Sequence, residues 1–284
     1  MYNFVFILPG SEKWASSRIR GFWPARYLKK SRCLINQGVP QSEVYIWAKV
    51  FDLSKLQALP GLHFWDVCDP SWWFKPQEIR PALQYFDGFV ASNEGLRQEF
   101  ENWSGCKCHL IPDRLELSHY PRRKVHNYAD PVRLIWYGAY QNRMSLFGAL
   151  ANIERLRANG YNVELTIFDD RPQEALTMLT APVYHISWEL EKENEIIASH
   201  DIALLPKYPG AWGKVKSNNK VLTAWACGLP ATDGEDYEWM SNLCAQSALR
   251  QQEADRRIEE LKSNYDIRQS AEDWAKLIEE YRNK

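Results

Sequence analysis

At 284 residues, with 45% hydrophobic side chains, the chain is long enough to bury a full core and suits two domains of roughly 120–150 residues each. Its 35 Lys and Arg against 36 Asp and Glu leave no basic field to hold a nucleic-acid backbone and no polybasic cluster to hold an acidic membrane, so any cationic site is local. No apolar run approaches the ~18 residues that span a bilayer, and Met1 leads into "YNFVFIL" without a basic n-region, so a cytoplasmic protein is expected.

Short apolar runs predict strands at 4–8, 44–47, 63–67, 88–91 and 109–111, then at 133–137, 163–168, 183–186, 202–205 and 229–231. Amphipathic runs between them predict helices near 17–30, 77–85, 93–103, 143–159, 172–179, 190–198 and 217–227. Strands alternating with helices indicate parallel sheets. The polar stretch "YPRRKVHNYAD" at 120–130 separates two alternating sets and reads as a linker. The expected domains are 1–122 and 130–265, each doubly wound α/β, followed by a final helix at 266–284. In that helix Trp274, Leu277, Ile278 and Tyr281 fall on one face.

The stretch "KVKSNNKVLTAWACGLP" at 214–230 breaks a rule of helix chemistry. Its apolar positions and Gly228 predict a short helix starting near Ser217, with Ser217, Asn218 or Asn219 as N-cap. A helix N-terminus carries about half a positive charge and favours acidic neighbours, yet Lys214, Lys216 and Lys220 gather here. From Ile196 to Thr232 the only acid is Asp201, so a bound phosphate is one reading of the missing charge and a solvated lysine face the other.

Earlier in the chain, "PGSEKWASSRIRGFWPARYLKK" follows the first strand, with Ser16 or Ser17 as a helix cap. Arg18 and Arg20 stand near that helix's beginning; both are candidate anion contacts, Arg18 ahead of Arg20. In "HFWDVCDPSWWF", Asp66 and Asp69 lie at or past a strand's carboxyl end, where open α/β sheets bind ligands. Asp69 is a candidate for an acceptor or sugar hydroxyl, or else caps the next helix. His63 stands at the strand's start and reads as a core or surface histidine. Trp72, Trp73 and Trp212 are candidates for stacking on a sugar, although most of the 13 tryptophans read as core. The six cysteines show neither a disulfide framework nor zinc spacing. G-x-S-x-G, the P-loop, H-E-x-x-H, G-x-G-x-x-G and D-x-D are all absent, which weakens hydrolase, nucleotide-triphosphatase, dinucleotide and metal-diphosphate readings.

Five segments resemble a known family. "NNKVLTAWACGLPAT" is similar to the "E-A-M-A-C-G-L-P-V-V" run of the GT-B glycosyltransferases, especially glycosyltransferase family 4. "ASNEGLRQEF", "CHLIPDRLEL", "VRLIWYGAY" and "DIALLPKY" look like further segments of that family, in its order. The resemblance implies two Rossmann-like domains facing across a cleft, with the acceptor on the first and a nucleotide-diphosphate sugar held mainly by the second. It further implies a final helix, 266–284, that crosses back to the first domain, and retaining sugar transfer with no cofactor beyond the donor and no metal.

On that reading Asp69, Arg18 and Lys216 are the catalytic candidates. Gly138, Arg143, Lys216, Ser217, Asn218, Asn219, Lys220 and Thr223 are those for the donor. The expected partners are the nucleotide-diphosphate sugar and a glycan or small-molecule acceptor, with no nucleic acid; membrane contact is left open. Two departures stand out. The family's glutamate pair is replaced by Val215 and Thr223, and Ala139 follows Gly138 where an Arg is usual, leaving Arg143 to take the phosphate. A non-catalytic sugar-nucleotide or glycan binder and a nucleotide-sugar epimerase are the rival readings.

Overall fold

The computed structural model describes residues 2–35, 38–171 and 179–283. They divide into two compact units. The first comprises Met1–Glu116, Lys214–Ser217 and Tyr265–Lys284; the second comprises Leu117–Gly213 and Asn218–Asn264.

The first unit holds a six-stranded parallel sheet of β1 Tyr2–Leu8, β2 Ser31–Ile35, β3 Ser42–Ala48, β4 Leu62–Val67, β5 Gly88–Ala91 and β6 Cys108–Leu110, in the order β2-β1-β3-β4-β5-β6. Apolar residues cover both faces, as parallel strands require. Phe4, Phe6, Leu8, Val44, Ile46 and Phe64 pack to one side with Trp274, Leu277 and Ile278 of the C-terminal helix Ile267–Arg282. The alternate residues Val5, Tyr45, Trp47, Trp65 and Val67 pack to the other with Leu96 and Phe100 of the helix Glu94–Ser104. The side-chain period of two thus fills two separate layers.

The second unit holds a five-stranded parallel sheet of β7 Val132–Gly138, β8 Val163–Asp169, β9 Val183–Ser187, β10 Ile202–Leu204 and β11 Ala231–Thr232, in the order β11-β10-β7-β8-β9. Counted within the unit this is 5-4-1-2-3, the dinucleotide-fold order, and its direction reverses between β7 and β10. Among the described residues no helix is long and apolar enough to cross a membrane.

Every predicted strand is present, with ends shifted by a few residues. The pattern missed β2, a five-residue edge strand in which only Leu34 of "SRCLI" is fully buried, too little to register as an apolar run. The helix expected over 17–30 is broken into Ala15–Ser17, a π-helical turn Arg18–Phe22 and Trp23–Ala25. Gly21 lies against Leu8, where a Cβ would come within 2.3 Å of Cδ2. The helix expected from Ser217 begins at Asn219, because the preceding residues form the separate turn Ala211–Val215. The helix expected over 172–179 falls, but for its last residue, outside the described residues.

Candidate active site

In the first unit the polar groups collect past the carboxyl ends of β3, β4 and β6. Asp69 follows β4, and both its oxygens are engaged: Oδ1 accepts from Lys216 Nζ at 2.7 Å and Oδ2 meets Lys49 Nζ at 2.7 Å. The two ammonium groups hold its carboxyl below the usual range against the opposing effect of burial. It caps no helix, since the turn Ser71–Trp73 has Pro70 at its N-cap. Lys216 therefore has an acidic partner that lies 147 positions away and is invisible to any local window.

Beside this cluster Arg20 is buried in a closed network. Its Nε and Nη2 donate to the two oxygens of Asp66, and Nη1 donates to the Ile111 carbonyl and to Asp113. Ser217 Oγ donates to the other oxygen of Asp113, so Ser217 is not a helix cap. Arg18, read as the leading anion contact, is itself only 4% exposed. It gives Nη1 to the carbonyls of Glu12 and Lys13 and lies over the Trp23 ring, which fixes the loop after β1.

Four consecutive residues of the 214–217 segment meet different groups of this unit. The Lys214 carbonyl lies where a Cβ on Gly95 would stand 2.3 Å away. Asn93 Nδ2 donates to the Val215 carbonyl while its Oδ1 caps the helix Glu94–Ser104. Lys216 and Ser217 follow with their aspartates.

In the second unit Gly138 ends β7 at the reversal of strand order, with φ +152°. Lys220 crosses this glycine: a Cβ there would lie 2.6 Å from Lys220 Nζ, and the ammonium stands 5.0 Å from the Trp136 ring centroid. The Tyr137 hydroxyl donates to the Lys220 carbonyl at 2.5 Å. Lys220 sits in the first turn of the helix Asn219–Ala226, which holds no acidic residue, and Asn218 at the N-cap makes no side-chain cap bond. Arg143 gives Nε and Nη2 to Asp169 and also reaches the Arg171 carbonyl. Thr223 is buried and its Oγ1 meets the Tyr120 hydroxyl, which also donates to Glu193 Oε2. Trp188 Nε1 donates to the other oxygen of Glu193.

No family model matches the chain, and no curated protein matches it by sequence. Solved structures do. HepE from Anabaena, in complex with UDP and glucose, is similar over 99% of this chain and 100% of its own, at 9% identity and TM-score 0.68. A glycosyltransferase from Rickettsia africae is similar over 98% of each chain, at 9% identity and TM-score 0.66. WaaG, a glycosyltransferase involved in lipopolysaccharide biosynthesis, is similar over 97% of this chain and 99% of its own, at 16% identity and TM-score 0.57. The chain has the GT-B fold.

The GT-B resemblance read from five short segments is thus borne out at the level of fold. Among the residues that pointed to the site, Asp69 and Lys216 come together, as do Gly138 and Lys220. Trp72 is a correction: it stacks on Trp103 inside the first unit and is 1% exposed, so it presents no face to a sugar. Trp73 donates Nε1 to Glu99. His63 is a satisfied core residue, accepting from Trp47 Nε1 at Nδ1 and lying 3.0 Å from the Leu59 carbonyl at Nε2. Sequence reasoning passed over Lys49, Asp113 and Glu193. Lys49 and Asp113 each follow a strand's carboxyl end, a positional signal available from the strand assignment. Glu193 gave none beyond lying inside the helix predicted at 190–198; it opens the observed helix Glu193–Ala198.

Proposed function

We propose that this GT-B chain is a glycosyltransferase that moves a sugar from a nucleotide-diphosphate donor to an acceptor hydroxyl, with retention at the anomeric carbon and without a bound metal. One observation carries the donor reading. At the reversal point of the second unit, Lys220 lies across Gly138 from the first turn of a helix that has no acid of its own. Backbone amides and an ammonium there favour a diphosphate. As the sugar leaves, negative charge grows on the diphosphate, and preorganised cations aimed at it lower the barrier. We assign this role to Lys220 and the helix amides, supported by Asn218 and Asn219. Gly138 keeps the end of β7 open to Lys220 and the phosphate, and Arg143 braces the β7 turn through Asp169. Glu193, joined to Thr223 by Tyr120, is assigned the ribose hydroxyls in place of the glutamate that Thr223 replaces. HepE, which is similar over its whole length, was solved with UDP and glucose, and that supports the same class of donor here.

Val215 and Thr223 at the family's glutamate positions favour a second reading, a sugar-nucleotide binder without turnover. Incubation with a labelled donor panel and candidate acceptors separates the two: a new glycoside supports transfer, an isomerised donor supports epimerisation, and binding without product supports the binder. Turnover abolished by EDTA and restored by Mg²⁺ would refute metal independence.

A further inference from the structure

We infer that Tyr137 is a positioning residue of the donor site, whose hydroxyl registers the first turn of the helix Asn219–Ala226 so that Lys220 reaches across Gly138. The inference deepens the donor reading above and rests on it. Tyr137 is the last residue but one of β7 and is buried. Its hydroxyl donates to the Lys220 carbonyl at 2.5 Å and accepts from the Ala224 amide. The carbonyl of one residue and the amide four positions on are the two halves of a helical bond, so a single phenol touches both ends of the turn that carries Lys220.

The route of the lysine side chain explains why that register matters. Neighbouring strand residues point to opposite faces of a sheet. Trp136 packs with Leu134 and Ile153 on one face of β7, and Tyr137 turns to the other. The Lys220 carbonyl is held by Tyr137, whereas its ammonium ends 5.0 Å from the Trp136 ring centroid. Between the two, the side chain crosses the end of the strand at Gly138, where a Cβ would stand 2.6 Å from Nζ and 2.8 Å from Cε. A slip of one residue in the helix moves a side chain about 1.5 Å along the axis and about 100° around it, which takes the ammonium off the glycine.

The strand end is a firm reference for the helix. Trp136, Tyr137 and Gly138 pair in register with Ile167, Phe168 and Asp169 of β8. The helix itself starts without a side-chain cap, since Asn218 at the N-cap makes no such bond. A buried hydroxyl needs hydrogen-bond partners, and the two that Tyr137 meets both belong to the helix backbone. The phenol thus sets the turn from outside the helix, in the place where a cap would set it from within. Phenylalanine at this position keeps the ring and drops only the link, which separates positioning from packing.

The test is a double-mutant cycle on the full chain. Parent, Tyr137→Phe, Lys220→Met and the double variant are titrated calorimetrically with UDP, GDP, ADP, CDP and dTDP. In the parent background Tyr137→Phe should weaken the bound diphosphate about two- to tenfold, the effect of one neutral hydrogen bond. Added to Lys220→Met it should change the affinity by less than about twofold, because the lysine that it places is gone. Hydrogen exchange at the Ala224 amide should quicken in Tyr137→Phe. A general loosening of the unit would instead weaken the diphosphate equally in both backgrounds, and that result overturns the proposal. So does unchanged exchange at Ala224, or an unchanged affinity in Tyr137→Phe when Lys220→Met weakens binding, which leaves the donor reading standing. No binding of any of the five by the parent removes the donor reading and this role with it.

Discussion

Arg20 holds Asp66 through both oxygens, Nε at 2.9 Å and Nη2 at 2.7 Å, with neither side chain reaching solvent. Arg20→Met should therefore cost about 3–5 kcal/mol, since it strands buried carboxylates without their cation. The loss should depend on pH. Burial already raises the Asp66 pKa and Arg20 opposes that rise, so removing Arg20 lifts it further. A carboxyl whose folded pKa exceeds its unfolded one binds more protons when folded, so its contribution to stability is lost as pH rises through that range. Urea denaturation at pH 4 and pH 7 should show the variant closer to the parent at pH 4. An equal deficit at both would contradict this placement of the charge.

Gly138→Ala places a Cβ 2.6 Å from Lys220 Nζ at a residue with positive φ. A melting-temperature loss corresponding to roughly 1–3 kcal/mol is expected, and the lysine should be displaced with it. Lys220→Met should leave the fold intact and weaken donor binding by about ten- to hundredfold. Equal donor affinity in both variants and the parent would remove the Gly138–Lys220 pair from the site.

Trp274 lies edge-on to Phe6 and Phe64, and Tyr281 packs on Phe64 and reaches His109 at 3.2 Å. Trp274→Ala should cost about 3–5 kcal/mol. Truncation after Ser270 also removes Leu277, Ile278 and Tyr281, and should leave the first unit without a closed layer on one sheet face. A truncated chain with the parent's denaturation midpoint would show that the helix is dispensable.

His200 is buried between the Ile196 carbonyl, at 2.7 Å from Nδ1, and Thr166 Oγ1, at 2.8 Å from Nε2. Burial lowers its pKa from 6.5 to about 4. An imidazole with a depressed folded pKa contributes stability that is intact above pH 6.5 and lost as pH falls toward 4, at up to about 1.4 kcal/mol per pH unit. His200→Gln should flatten the stability profile across that window, as measured by denaturation midpoints from pH 7 to pH 4.

Strand positions were legible because a parallel strand buried on both faces is a dense apolar run, as in "YNFVFIL" and "VRLIWYG". The two-sheet architecture followed from their alternation with helices. Of the candidate site only the local part could be read: Lys214, Lys216 and Lys220 gather where a helix begins, and Gly138 entered through the family resemblance. Its ion pairs could not, because Lys216 meets Asp69 from across the sequence and Arg20 meets Asp113 after 93 positions. The relative rank of Arg18 and Arg20 was also hidden. Both lie in one turn, and only the packed fold shows that one serves loop carbonyls and the other two buried aspartates.

The central claim, a nucleotide-diphosphate sugar held at the start of the helix Asn219–Ala226, is tested most directly by calorimetric titration of the full chain with UDP, GDP, ADP, CDP and dTDP, with Lys220→Met run in parallel. Saturation with at least one of them, at an affinity that falls about ten- to hundredfold in the variant, is the predicted result. No saturable binding of any, or binding of one with the same affinity in Lys220→Met, would contradict it.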